Sequence, residues 1–194
     1  MKTKSAIPVP ITLAALLLPT LAQAHPGHGA TGFSSGLTHP LLGWDHLLAM
    51  VAVGLWASQL DGRARWAVPA AFVGAMTLGG MLGVSGVSLP LAEFGIILSV
   101  LTLGVLIAAS IRLPSAASAT LVGVFALCHG FAHGAEMPLG ASVTGYAFGF
   151  VVTTAGLHLA GLAAGLGLQQ AAHAPWQRLT GAAICLGGVM LSIG

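Results

Sequence analysis

Residues 91–112 read LAEFGIILSVLTLGVLIAASIR, with one carboxylate near the start, one guanidinium at the end and nothing ionisable between them. A helix of about 20 apolar residues crosses the hydrocarbon core of a bilayer. A membrane-spanning strand would instead alternate polar and apolar residues over about 10 positions. This run is apolar on every side, so it reads as a helix. The same pattern, punctuated by Pro, Gly or charge, recurs at 41–60, 66–87, 116–136, 143–167 and 176–193. Of the 194 residues only 5% are charged and 56% are hydrophobic, whereas soluble domains carry about 25% charged residues. A water-soluble globule is thereby excluded. The expected fold is an all-α polytopic membrane protein with about six transmembrane helices.

Working outward, the N-terminal segment has Lys2 and Lys4, an apolar stretch from Ile11 to Leu18, and Ala22-Gln23-Ala24 as a small-x-small cleavage site. Residues 1–24 read as a signal peptide. The alternative is an uncleaved first helix, against which Pro8, Pro10 and Pro19 count. Residues 25–38, rich in Gly, His and Ser and without apolar periodicity, are expected to form an exposed extracytoplasmic tail ahead of a transmembrane domain at 39–194. Arg63, Arg65, Arg112 and Arg178 all fall between spans on one side. The positive-inside rule makes that side cytoplasmic and the mature N-terminus extracytoplasmic. Two of the six bases lie in the signal segment, and a formal net charge of +2 gives no indication of a nucleic-acid partner. Cys128 and Cys185 lie in apolar runs without Cys-x-x-Cys spacing, and read as core residues. A division after the third span leaves two halves of three, inserted in opposite senses, which is the arithmetic of a 3+3 inverted repeat. The glycine pairs Gly79/Gly83, Gly145/Gly149 and Gly161/Gly165 read as close helix-packing faces, with kinks or a pathway as the other reading.

Ionisable groups inside a span cost about 2.5 to 3.5 kcal/mol each on an insertion scale, so their positions carry information. In the first span they follow the order His39-Pro40, Gly43, Asp45-His46 and Met50. Pro40 suits a first helical position, so a helix is expected to start there. His46 and Met50 then share a face, and His39 can fold back over it. At the outer end of the fourth span, His129, His133 and Glu136 stand at i, i+4 and i+7, on one helical stripe. A single helical His reads as a satisfied core residue, but two His and an acid on one stripe in lipid read as a metal or proton site, since imidazoles four residues apart can converge on one ion, as in zinc-binding pairs on helices. Both groups belong to the outer half of the membrane, and a shared site needs only that spans one and four be adjacent. His158, midway along the fifth span, reads either as a deeper relay site or as a hydrogen bond that fixes helix packing. Glu93 reads as a favourable charge at a helix start. His25 and His28, with the new α-amine, form an exposed tract that binds divalent metal or serves as plain linker. His173 reads as a solvated loop residue.

His39-Pro40 with Gly43, Asp45-His46, Met50 and Gly54, and then His129-Gly130, Ala132-His133-Gly134 and Glu136-Met137-Pro138, resemble the HupE/UreJ proteins in order and spacing. The resemblance runs over the whole chain. His39, Asp45 and His46 are also similar, at a slightly different interval, to the signature of the larger nickel/cobalt transporter family. The resemblance implies a nickel or cobalt permease of the bacterial inner membrane, linked to hydrogenase or urease systems and their maturation proteins. It implies His39, Asp45, His46, His129, His133 and Glu136 as transport-site residues. His25, His28, Met50 and His158, read from their positions alone, are candidates for a secondary metal set.

The chemistry of the donors is compatible. Imidazoles with carboxylates and no thiolate suit Ni(II), Co(II) or Zn(II), and unprotonated rings are needed, so uptake should weaken in acid. The ion is cargo, and no prosthetic group and no enzymatic activity are expected. The leading expectation is a secondary permease that imports Ni(II) or Co(II) from periplasm to cytoplasm for metalloenzyme maturation. The alternatives are a zinc-dependent intramembrane hydrolase, with Glu136 or Asp45 as general base, and a metal-binding sensor or assembly protein without transport.

Overall fold

The computed structural model describes residues 32–170 and 174–193, and all regular structure among them is helical. Seven helices follow one another: α1 (Gly32–Leu42), α2 (Trp44–Gln59), α3 (Ala64–Val84), α4 (Ala92–Ala108), α5 (Ser115–Ala135), α6 (Val143–Gln170) and α7 (Ala174–Ile193). Helices occupy all six expected runs. Among the described residues α3, α5 and α6 are long and apolar enough to cross a membrane, α1 and α2 together form a pair bent by 84°, and α4 is a shorter apolar helix. Large apolar side chains such as Trp66, Leu91, Phe94, Phe148 and Leu186 point outward, while His129, His133, His158, Ser99 and Thr154 are buried. That distribution is the one a lipid solvent favours, because polar groups find partners only inside the bundle.

Two expectations about the start of the bundle are corrected. The described part of the expected tail, 32–38, is helix, with Gly32 buried against Ser142 just ahead of α6 and Gly36 buried against α6 itself. Pro40 does not begin a helix but lies in the last turn of α1. The break falls at Gly43, whose backbone is extended (φ −100°, ψ 123°). Pro40 has no amide hydrogen to continue the ladder, and the chain turns within three residues of it. The signal segment, His25, His28 and His173 lie outside the described residues.

Glycine brings helices into backbone contact along four seams, one of them between α1 and α6, where Gly36 and Gly149 meet the carbonyls of Tyr146 and Phe33. A Cβ on Gly79 or Gly83 of α3 would overlap the carbonyls of Leu127 and Phe131 on α5, and one on Gly130 or Gly134 of α5 would overlap those of Met76 and Gly80 on α3. Gly54 of α2 and Gly161 of α6 meet the carbonyls of His158 and Val51 in the same way, and Gly104 of α4 lies against Cys185 of α7. Close packing is therefore the use these glycines have. In lipid, dispersion and close backbone approach replace hydrophobic burial as the source of helix association. Cys128 and Cys185 are free and only partly buried, at the edges of such seams rather than in the core.

At one end of the bundle side chains close on one another and on backbone carbonyls. Arg112 Nη1 meets Asp61 Oδ2 at 2.8 Å, Trp56 Nε1 donates to Ile111 O at 2.9 Å, and Gln169 Nε2 donates to Ser58 O at 2.9 Å. The loops after α2 and α4 and the C-terminal end of α6 therefore share this end. The N-terminus of α2 and the C-terminus of α5 lie at the other.

Candidate metal centre

Gly43 ends one helix and opens the next, so Asp45 falls in the first turn of α2, where a carboxylate is favoured by the helix dipole. Its Oδ1 accepts the His46 amide at 2.8 Å and meets His46 Nδ1 at 2.7 Å. An ionised carboxylate only accepts, so Nδ1 carries the ring proton. His46 Nε2 is left buried and without a partner. A Cβ on Gly43 would stand 2.7 Å from Asp45 Oδ1 and 2.8 Å from His46 Nδ1, so only glycine leaves room for this arrangement.

The second half of the centre comes from α5. His129 and His133 lie one turn apart with Gly130 and Gly134 interleaved, so one side of the helix carries imidazoles while its neighbouring side rests on α3. His129 is fully buried and His133 is 3% exposed. The rings of His46 and His133 are 4.0 Å apart between centroids, and those of His46 and His129 are 5.1 Å apart. One ligand atom from each of the three lies within 4.8 Å of the others. Three imidazoles at this separation are close enough to share a single cation, and buried nitrogens with no hydrogen-bond partner are otherwise costly. His129 Nδ1 and both nitrogens of His133 are in that condition, as is His46 Nε2.

A second group stands further out. Helix α5 ends at Ala135, and Glu136 continues from it, with its amide still bonded to Ala132 O at 2.9 Å. Its Oε2 meets His39 Nε2 at 3.1 Å, and the His39 ring lies 4.8 Å from that of His133. His39, His133 and Glu136 again bring ligand atoms within 4.8 Å. His133 is shared by both groups. The side chain of Glu136 is 58% exposed and that of His39 is 26% exposed, so the outer group is open where the inner one is enclosed.

His39, Asp45, His46, His129, His133 and Glu136 thus gather at one end of the bundle, five of them in two tiers. Asp45 belongs to neither tier and instead stands behind His46. Spans one and four are joined by side chains more than by backbone, because α2 packs on α6 and α5 packs on α3. Met50, one turn below His46, is fully buried in the apolar core. His158 is 2% exposed, with both nitrogens unpartnered. The packing hydrogen bond considered for it is not formed; its ring stands edge-on to Phe72 at 5.0 Å, and Phe72 lies 5.6 Å from His129. Glu93 is exposed in the first turn of α4.

Two residues that spacing did not single out also belong here. Ser99 of α4 meets His129 Nε2 at 2.9 Å. Tyr146 of α6 stands edge-on to His39 with ring centroids 5.8 Å apart, and its hydroxyl is buried and unpartnered. A cavity of about 80 Å³ opens beside His133, lined by Met76, Gly130, Met137, Tyr146 and Phe150 among others. The one signal in the sequence for Ser99 is a hydroxyl within the apolar run 91–112.

Fold and site together define a helical membrane protein with an imidazole-rich centre near one end of its bundle. The family model described as HupE / UreJ protein matches residues 13–191, and the chain belongs to that family. It is 47% identical over 184 residues to Protein HupE of Rhizobium leguminosarum bv. viciae, a match that covers 94% of this chain and 96% of that one. No solved structure matches.

Proposed function

We propose that the protein is a secondary permease that imports Ni(II) or Co(II) from the periplasm to the cytoplasm, for the maturation of metalloenzymes such as hydrogenase or urease. The observation that carries this reading is the convergence of His46, His129 and His133 with unpartnered nitrogens inside a lipid-facing bundle. Three neutral nitrogens suit borderline divalent ions, Zn(II) among them. Asp45 acts through His46, since a ligating imidazole is oriented and made more basic by an acceptor on its other nitrogen. The outer pair His39 and Glu136 serves as the entrance, where an exposed carboxylate offsets the charge of an arriving ion. His133, shared by both tiers, hands the ion inward. His158 is a deeper station, and His25, His28 and Met50 are secondary donors.

In this reading six helices, α2 to α7, span the inner membrane after removal of residues 1–24, with the metal centre facing the periplasm. The salt bridge between Arg112 and Asp61 supports a common cytoplasmic side for the basic loops. Exchanging the first three spans for the last three maps the α2/α6 pair onto α5/α3 and the α4/α7 pair onto itself, and these are the closest pairings in the bundle. That symmetry supports an inverted repeat.

Uptake of radiolabelled Ni(II) and Co(II) into proteoliposomes tests the proposal. Saturable flux is expected for the native chain and loss of at least ten-fold for His46→Ala, His129→Ala. Tight binding without flux would replace the permease with a sensor or assembly protein. Zinc-dependent turnover of lipid or peptide without flux would replace it with a hydrolase.

A further inference from the structure

Ser99 is fully buried, on the face of α4 that meets α5. Its hydroxyl has two neighbours: Ile96 O at 2.6 Å and His129 Nε2 at 2.9 Å. A hydroxyl holds one proton. The carbonyl of Ile96 can only accept, so the proton goes there, a common habit of serine within a helix. Toward His129 the Ser99 oxygen therefore offers a lone pair, and Nε2–H is the donor. A neutral imidazole has a single N–H, which leaves Nδ1 as the basic nitrogen. His129 Nδ1 is buried and has no hydrogen-bond partner, and His129 is one of the three residues whose ligand atoms converge.

From this geometry we infer that Ser99 is a positioning residue of the metal centre: it holds His129 in the Nε2–H tautomer and turns Nδ1 toward a borderline divalent cation. The inference rests on the metal-site reading above and deepens it. The centre then uses opposite nitrogens of its two anchored rings, Nε2 of His46 and Nδ1 of His129. Each is fixed from behind by a different acceptor, a carboxylate on the neighbouring residue and a hydroxyl on another helix. The neutral acceptor leaves the interior with one compensating carboxylate, Asp45, rather than two. It also makes α4 part of the site, although that helix contributes no ligand.

The test uses the full chain in nanodiscs, with ¹⁵N-labelled histidine and His129 assigned by its disappearance in His129→Gln. Before any metal is added, the native spectrum should show His129 protonated at Nε2. Ser99→Ala should lose that fixed tautomer and bind Co(II), followed by its visible absorption, ten- to a hundred-fold more weakly, the usual effect of removing a partner behind a ligand. Ser99→Thr, which keeps the hydroxyl, should restore both. Protonation at Nδ1 in the native protein would overturn the inference without any variant, and so would an unchanged tautomer and Co(II) affinity in Ser99→Ala. A native chain that shows the Nε2–H tautomer but binds no Co(II) would overturn the metal reading while leaving the hydrogen-bond assignment standing.

Discussion

Asp45 shows how far spacing reads at the level of single residues. On a helical projection it sits about 100° from His46, off the face that His46 and Met50 share. In the structure its carboxylate folds forward onto the amide and ring of the residue that follows it. The helix start makes this possible, because the first amides of α2 have no partners of their own. Asp45→Ala removes the acceptor and its charge and is expected to weaken Co(II) affinity by ten- to a hundred-fold, whereas Asp45→Asn, which retains an acceptor oxygen, should lose less. Titration of both variants with Co(II) checks the order. His46, His129 and His133 were legible because a four-residue interval and a lipid context leave few other uses for an imidazole. Ser99 and Tyr146 were not, because their partners lie 30 and 107 positions away in the chain, at His129 and His39.

At the level of elements, the glycine intervals declared close packing but not which helix each would meet. Gly130 and Gly134 interleave with His129 and His133 on α5, so the segment that carries both imidazoles also clamps α3. A Cβ at Gly130 would collide with the Met76 carbonyl, while one at Gly123, two turns earlier, would sit at an ordinary 3.9 Å from Ala75. Gly130→Ala is therefore expected to force the two helices apart at a cost of about 1–3 kcal/mol, with a lower unfolding temperature in detergent and weakened Co(II) binding. Gly123→Ala should change neither. The bend between α1 and α2 belongs to the same scale. Residues 32–38 carry no apolar period, so as a sequence they read as a tail, yet Gly32 and Gly36 let the backbone lie directly on Ser142 and α6. Packing through absent side chains leaves no hydrophobic pattern to find.

For the molecule as a whole, the proposed import requires the end that holds the imidazole cluster to face the periplasm. Leu139, in the loop after α5, is fully exposed at the end that holds the metal centre, and Ala109, just past α4, is exposed at the opposite end. In a background where Cys128 and Cys185 are replaced by Ala, Leu139→Cys should react with a membrane-impermeant maleimide in intact cells, and Ala109→Cys only after the inner membrane is opened. The reverse pattern would turn the site toward the cytoplasm and argue for export. The sequence by itself determined the solvent, the helical class, the six runs and the residues that gather at the site, because burial of charge in lipid is so costly that composition and spacing leave few alternatives. Only the folded arrangement decided that α5 pairs with α3 and α2 with α6, that the clustered imidazoles and Glu136 divide into an enclosed and an open tier, and that Asp45 and Ser99 stand behind imidazoles. Those outcomes depend on which surfaces interlock across the bundle, and close contact between distant segments is set by shape, which a periodicity along one segment does not record.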